Sequence, residues 1–212
     1  MKSLMLVMLA FLMPPVIAET LPNQNAASLH ELQRKWAQAN YEMQGDAQVQ
    51  RFESLVAEAE TAAAAHPADP EILIWEGIIK STAAGKSSGL SALSLVKSAR
   101  DSLEQAMKID DMALDGSAYT SLGALYYQVP GWPIAFGSDK KARELLEKAL
   151  RVNPDGIDSN FFYGDFLLEQ KEYAAARLAF KKALAAPDRP GRMLADTGRR
   201  TEIRERLARL DG

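Results

Sequence analysis

Residues 142–154, ARELLEKALRVNP, contain the pattern that decides the fold of this chain. Ala142, Leu146 and Ala149 are spaced by four and then three positions, so they lie along one stripe of an α-helix. The same spacing recurs at Ala99, Leu103 and Ala106, and again at Ala176, Phe180 and Ala183. A shifted copy occurs at Leu55, Ala59 and Ala62. This recurrence predicts a helical repeat protein, and the alternative is a generic antiparallel bundle with coincidental spacing.

Glycine and proline mark related places in these repeats. Each stripe of small residues is preceded by a glycine, at Gly77, Gly123 and Gly164. Two prolines, Pro67 and Pro154, follow stripes. The glycines allow paired helices to approach closely, and the alanines at the start of the stripes, Ala99, Ala142 and Ala176, allow the same from the opposite side. The positions therefore predict helical hairpins that pack in chain order.

The combination resembles the tetratricopeptide repeat (TPR). The first helix of that repeat carries a large residue, Leu-Gly and an aromatic residue, which here are Tyr119, Leu122, Gly123 and Tyr126. The second helix carries alanine, a bulky residue, alanine and then proline, as in the segment quoted above. The resemblance implies an all-α fold over residues 28–210. We expect an α-α superhelix, a TPR-like solenoid of about four helical hairpins plus a C-terminal capping helix.

Apolar periodicity and the breaks at glycine and proline predict the extent of each helix. The expected ranges are 28–44, 47–65, 69–84, 90–109, 113–128, 138–152, 157–170, 173–186 and 192–210. Residues 188–212 contain seven arginines and five acidic residues. We predict that the last helix is a polar terminal cap, because an open solenoid end would expose core surface.

The N-terminus has the order of a secretory signal peptide. Lys2 precedes an apolar run at residues 4–13, and the sequence PPVIA at 14–18 supplies a helix break and a small-residue cleavage pattern. The run of 10 residues is too short to span a bilayer of about 30 Å, although an uncleaved anchor is the alternative. We predict a signal peptide at 1–18, a flexible segment at 19–27 and a periplasmic protein without stable membrane insertion. Bacterial lipidation is excluded because the chain has no cysteine.

Composition excludes several classes of function. Apolar residues make up 47% of the chain and charged residues 25%, which is ordinary for a globular protein. The 28 acidic and 25 basic residues give a net charge of −3, so the strongly basic face that nucleic acid requires is not expected. The lack of cysteine excludes disulfides, thiolate nucleophiles and cysteine-ligated zinc.

The sequence lacks the residue patterns typical of enzymes. Arg34 stands four positions after His30, where a helical zinc motif needs a second histidine. Tyr119 stands two positions before Ser121, where a nucleophile elbow needs glycine. His66 lies beside a proline in a predicted turn. We therefore predict a protein that is not an enzyme and that has no catalytic residue, metal or cofactor.

An inserted loop interrupts the repeat at residues 126–139, YYQVPGWPIAFGSD. Two prolines and two glycines restrict this loop, and Trp132, Ile134 and Phe136 are large apolar groups. Two interpretations remain open. The loop packs onto neighbouring helices as a plug, or it lines or covers a ligand cavity.

The insertion also carries a narrower resemblance. The Tyr-Tyr helix end, the PGWP loop at 130–133, the Gly-Ser-Asp helix start and the helix at 142–150 resemble the T-component family associated with tripartite periplasmic (TRAP) transporters. The helix at 98–107 resembles it as well, and the resemblance covers about residues 69–187. That family is periplasmic, helical and non-enzymatic. The resemblance implies a pore or pocket and a role in small-ligand uptake. This chain lacks the family's lipid-bearing cysteine.

The first helices of such repeats line the concave face of the solenoid. Counting from the glycines, we expect that face to present Glu71, Ile74, Ile78, Tyr127, Phe161 and Asp165. We predict a contact surface made of Tyr127, Trp132, Pro133, Phe136, Phe161 and Asp165. Two functions fit. One is an exported interaction scaffold that binds a protein, a peptide or a small amphipathic ligand. The other is an accessory ligand-binding component of periplasmic solute uptake. A closed cavity favours a solute, and an open groove favours a polypeptide.

Overall fold

A computed structural model describes residues 24–211 of the chain. The predicted signal peptide at 1–18 lies outside the described residues. Within the described range the structure contains nine α-helices and no strand: α1 (Gln24–Tyr41), α2 (Gly45–Ala65), α3 (Pro70–Ala84), α4 (Gly89–Ile109), α5 (Ala113–Gln128), α6 (Asp139–Val152), α7 (Ile157–Glu169), α8 (Tyr173–Leu184) and α9 (Met193–Asp211).

The helix bounds lie close to those expected from the sequence. A difference occurs at α1, which begins at Gln24 and so includes residues 24–27 of the segment expected to be flexible. Ala26 and Ala27 are strong helix formers, which accounts for the earlier start. The start of α3 follows the usual rule, because the side chain of Asp69 accepts hydrogen bonds from the backbone N–H groups of Glu71 and Ile72.

The first eight helices form four hairpins that stack in chain order. α1 packs on α2, α3 on α4, α5 on α6 and α7 on α8, and each hairpin also contacts the next one. The first helices of successive hairpins are in contact as well, α1 with α3, α3 with α5 and α5 with α7. They therefore form one continuous inner layer, and α2, α4, α6 and α8 form the outer layer.

Close approach within the hairpins explains the glycines of the repeat. A Cβ atom on Gly77 would lie 2.5 Å from Cγ of Leu103, and one on Gly123 would lie 2.6 Å from Cγ of Leu146. One on Gly164 would lie 2.9 Å from Cδ1 of Phe180. The alanines that open the stripes, Ala99, Ala142 and Ala176, are fully buried, and Pro67 and Pro154 lie in the connections between helices.

The beginning of α5 departs from regular helix geometry. Leu114, Asp115 and Gly116 have φ angles of 49°, 54° and 70°, which place three successive residues in the left-handed region. Glycine is required at the third position for a second reason, since a Cβ on Gly116 would lie 2.9 Å from Cγ1 of Val152. This turn sets Leu114 and Asp115 on the inner side of the solenoid.

The last helix does more than cap the end of the stack. Helix α9 contacts α8, as a cap does, but it also contacts α7 and α1. At the junction with α1, the ring of Tyr41 packs against Gly198, where a Cβ atom would lie 2.3 Å from Cδ1 of the tyrosine. The prediction of a purely terminal cap is therefore incomplete, because α9 runs back across the concave face to the first helix. Over residues 24–211, none of the helices combines the length and apolar character needed to cross a bilayer.

Candidate functional site

The concave face and α9 together border a cavity of about 710 Å³ that is partly open to solvent. Its wall is formed by side chains of α1, α3, α5 and α7 on one side and by α9 with the residues that precede it on the other. A cavity of this size lies in the range that small-molecule sites occupy, about 300–1,000 Å³.

Two pairs of aromatic rings line the cavity. Trp36 on α1 and Trp75 on α3 meet edge to face with ring centroids 5.7 Å apart. The indole N–H of Trp36 donates to Oγ1 of Thr82 at 2.9 Å, so its polar group is satisfied. Phe161 and Phe162 on α7 form the second pair, with centroids 5.1 Å apart. These rings offer an apolar body a preformed surface.

Arginines from α9 and its approach form the opposite side. Arg192 directly precedes α9, Arg199 and Arg206 lie on one face of that helix, and all three line the cavity. Arg199 is buried, and its guanidinium lies over the rings of Phe161 at 4.3 Å and Phe162 at 4.8 Å. These contacts are cation–π interactions that join α9 to α7.

Asp158 on α7 is the centre of an ion-pair network. Nε of Arg199 donates to Oδ1 of Asp158 at 2.8 Å, and a terminal nitrogen of Arg189 donates to its Oδ2 at 2.8 Å. Arg189 also bonds the buried carboxylate of Asp196 through Nε, at 2.8 Å. Burial alone would raise the pKa of Asp158, but the charges of Arg199 and Arg189 outweigh it and hold that pKa well below its usual range.

A second polar cluster surrounds Asp165. Nε of Arg206 donates to Oδ1 of Asp165 at 2.7 Å, and the hydroxyl of Tyr127 donates to Oδ2 at 2.9 Å. Burial, together with the charge of Asp165, raises the pKa of Tyr127 well above its usual value, so this phenol stays a neutral donor.

Arg192 differs from the other three cavity arginines. Its guanidinium lies over the ring of Trp75 at 4.7 Å, and its Nε is buried without a hydrogen-bond partner among the described residues. Burial, reinforced by the neighbouring charge of Arg189, lowers the pKa of Arg192 below its usual value.

The structure brings together part of the contact surface expected from the sequence. Phe161 and Asp165 line the cavity. Tyr127 is not part of the cavity wall, but its hydroxyl donates a hydrogen bond to Asp165. Of the other expected concave residues, Ile78 lines the cavity, whereas Ile74 is fully buried and Glu71 lies outside the cavity wall.

The inserted loop lies away from this cavity. Trp132, Pro133 and Phe136 are absent from its wall, and Trp132 is 88% exposed. Phe136 packs edge to face on Tyr126 with centroids 5.4 Å apart and lies under the guanidinium of Arg100. The loop is thus anchored by Phe136, while its tip faces solvent.

Sequence reasoning missed the residues that dominate the site, Trp36, Trp75 and the arginines of α9. A signal was present in the arginines, because Arg199 and Arg206 are seven residues apart and so share a face of α9, and Arg192 stands seven residues before Arg199. Among residues 24–211, no group of three or more histidine, aspartate or glutamate side chains is arranged to hold a metal ion.

One solved structure with a similar fold is the crystal structure of a thermophilic TPR protein from Thermus thermophilus. The TM-score is 0.60 and the sequences are 21% identical, over 88% of this chain and 84% of that chain. No family model and no curated protein matches the sequence. The likeness confirms the expected all-α architecture, an α-α superhelix of TPR-like hairpins.

Proposed function

We propose that this protein is a binding protein without catalytic activity, and that its concave cavity holds a small amphipathic ligand. The observation that carries the proposal is the course of α9, which contacts α1 and α7 across the concave face. A superhelix of helical hairpins offers an extended inner surface for binding. Here α9 occupies that surface and leaves a cavity of about 710 Å³, which suits a small molecule better than an extended polypeptide.

The chemistry of the wall agrees with an amphipathic ligand. Four aromatic rings supply apolar surface, and Arg192, just before α9, and Arg199 on α9 supply charge close to those rings. The resemblance of the inserted loop to the TRAP-associated T-component family favours a role in solute uptake. The leader-like residues 1–18 favour export to the periplasm, and N-terminal sequencing of the mature protein tests this, with Glu19 as the expected first residue.

The proposal is tested by filling the cavity. Ser121 lies partly exposed on the cavity wall of α5, so Ser121→Phe places a ring inside it. The probe is the neutral dye N-phenyl-1-naphthylamine, followed by energy transfer from tryptophan. The background carries Trp132→Phe, which removes the exposed tryptophan and leaves Trp36 and Trp75 as donors, since the chain has three.

We expect the dye to bind the parent protein with a stoichiometry of one and Ser121→Phe to weaken binding about tenfold. The matched control is Ser54→Phe on the exposed side of α2, which should bind like the parent. Unchanged binding to Ser121→Phe, or no binding to the parent, would contradict the proposal.

A second candidate function is a scaffold that binds a protein or peptide through the inserted loop. Trp132 and Ile134 are 88% and 61% exposed, and such exposed apolar side chains close together are typical of contact surfaces. A partner that binds Ser121→Phe normally but is lost with Trp132→Ala would favour this function. Phe136→Ala is unsuitable for that comparison, because Phe136 anchors the loop on Tyr126.

A further inference from the structure

The arginines of the cavity wall are paired with one exception. Arg199 and Arg189 share the carboxylate of Asp158, and Arg206 binds Asp165. Arg192 makes no ion pair with any residue in the described part of the chain, and its buried Nε has no hydrogen-bond partner there. A buried polar group without a partner costs free energy, and the cost is larger for a charged group.

We propose that the ligand of this cavity is a singly charged anion with an apolar, ring-bearing body. Its carboxylate binds the guanidinium of Arg192, and its body packs against Trp75 and Trp36. This inference rests on the proposed function, since it names the class of ligand that the cavity takes.

The guanidinium of Arg192 suits a carboxylate for a geometric reason. An arginine presents its N–H donors in a planar fork that matches the two oxygens of a carboxylate. One face of the Arg192 group is already covered by Trp75 at 4.7 Å, so its donors are left at the edge of the plane. An anion there would also offset both causes that lower the pKa of Arg192, burial and the charge of Arg189.

The number of available charges limits the anion to a single negative charge. Arg189, Arg199 and Arg206 already hold the carboxylates of Asp158, Asp196 and Asp165. Arg192 is half-buried, and a dianion such as a phosphate monoester would need a second cation in the cavity wall free of these bonds, whereas Lys86, which also borders the cavity, is exposed to solvent. A dianion would also lie near Asp158 and Asp196, whose charges act on Arg192. A monoanion balances Arg192 alone.

The position of the rings fixes where the apolar body lies. Trp75 contacts the guanidinium, and Trp36 meets Trp75 edge to face at 5.7 Å. When the carboxylate is bound to Arg192, a ring attached to it would therefore lie against the two indoles. Aromatic pairs in such arrangements add to the free energy gained from burial.

Two dyes that differ in one group test the inference. 8-Anilinonaphthalene-1-sulfonate is a monoanion, and N-phenyl-1-naphthylamine is the same ring system without the sulfonate. In the Trp132→Phe background we expect the anionic dye to bind about tenfold more tightly than the neutral one. Arg192→Gln should remove this advantage and leave the affinity for the neutral dye within about twofold. The matched control is Arg204→Gln, which removes an exposed arginine of α9 and should change neither affinity.

The outcomes separate the two proposals. If both dyes bind the parent equally, or if Arg192→Gln keeps the preference for the anion, the inference is wrong while the binding cavity stands. If neither dye binds the parent, the proposed function fails as well. Should Arg192→Gln not fold, as judged by near-UV circular dichroism, Arg192→Lys replaces it. We expect Arg192→Lys to bind the anionic dye more weakly than the parent, and equal affinity would contradict the inference.

Competition tests the limit to one charge. 1-Naphthoate and 1-naphthyl phosphate have the same ring and differ in charge, and each is used to displace the anionic dye. We expect 1-naphthoate to compete at lower concentration. If the phosphate competes better, the site accepts a dianion and the assignment to a single charge is wrong.

Discussion

At the scale of single residues, the hairpins depend on glycines where a side chain would lie too close to the facing helix. Glycine is a poor helix former, about 1 kcal/mol less favourable than alanine in a helix interior. Gly123 is nevertheless found in the middle of α5, where Leu146 of α6 is fully buried and approaches the backbone. Close approach of the two helices therefore outweighs the intrinsic preference of the residue.

Gly123→Ala tests this balance. The added methyl group would lie 2.6 Å from Cγ of Leu146, so the helices must separate or Leu146 must leave its rotamer. Overpacking costs about 1–3 kcal/mol, which exceeds the gain in helix propensity of about 1 kcal/mol. We expect the free energy of unfolding, measured by urea denaturation, to fall by about 1 kcal/mol.

The control for this change is Gly85→Ala at the end of α3. Gly85 has a φ angle of −67°, and a Cβ atom there would meet its nearest neighbour at an ordinary 3.5 Å. We expect this variant to be as stable as the parent, or more stable by about 0.5 kcal/mol. Equal effects of the two substitutions would argue against close packing as the role of Gly123.

At the scale of elements, α9 is the helix whose position makes a cavity out of an open groove. It is attached to α1 through the contact of Gly198 with Tyr41, and to α7 through the ion pairs of Arg199 and Arg206. The hairpins α3–α6 have extensive contacts with one another that do not involve α9. The attachment of α9 can therefore be weakened separately from the rest of the fold.

Gly198→Ala is expected to loosen α9 locally. The new methyl group would lie 2.3 Å from the ring of Tyr41, so the ring must move and the junction with α1 must open. Hydrogen exchange followed by mass spectrometry should become about tenfold faster in α9 and stay unchanged in α3–α6. Thr197→Ala, at the exposed neighbouring position, is the control and should not change exchange. Uniformly faster exchange along the chain would mean that α9 does not open on its own.

At the scale of the whole molecule, local patterns were sufficient to predict the hairpins. The spacing of Ala142, Leu146 and Ala149 reports contacts between helices that follow each other in the chain. These contacts recur from one hairpin to the next, so the sequence repeats them. The all-α solenoid and the approximate helix bounds could therefore be predicted.

The candidate site depends on a contact that does not repeat. Tyr41 and Gly198 stand near opposite ends of the chain, and no periodic pattern connects them. Trp36 and Trp75 belong to no repeated motif, and they are buried core residues that also border the cavity. The insertion that carries Trp132 interrupts the repeat and predicted a contact surface there, but the exposed Trp132 lies outside the cavity wall.

Acid should lower the stability of the folded protein. The pKa of Asp158 is held below its usual value in the folded protein, so this carboxylate stabilises the fold above its unfolded pKa of about 3.9. That contribution is lost progressively as the pH falls below about 4, because the folded state must then take up a proton at an ion pair. We expect the melting temperature to fall steeply between about pH 4 and pH 2.

Asp158→Asn provides the comparison. At pH 7 it should lower the free energy of unfolding by about 2 kcal/mol, because Arg199 and Arg189 lose their shared partner. Thermal melts at a series of pH values should show the two proteins converging toward pH 2. Curves that stay parallel would show that Asp158 does not control the acid response.

The return of α9 has a consequence for how this architecture can evolve. A superhelix normally lengthens by duplication, because each new hairpin adds onto the last one. Here the terminal helix contacts the final hairpin and the first helix at once, so an inserted copy would carry α9 out of reach of Tyr41. The contact of α9 with both α8 and α1 thereby fixes the number of hairpins. We expect homologous chains that keep Gly198 and Tyr41 to keep four hairpins.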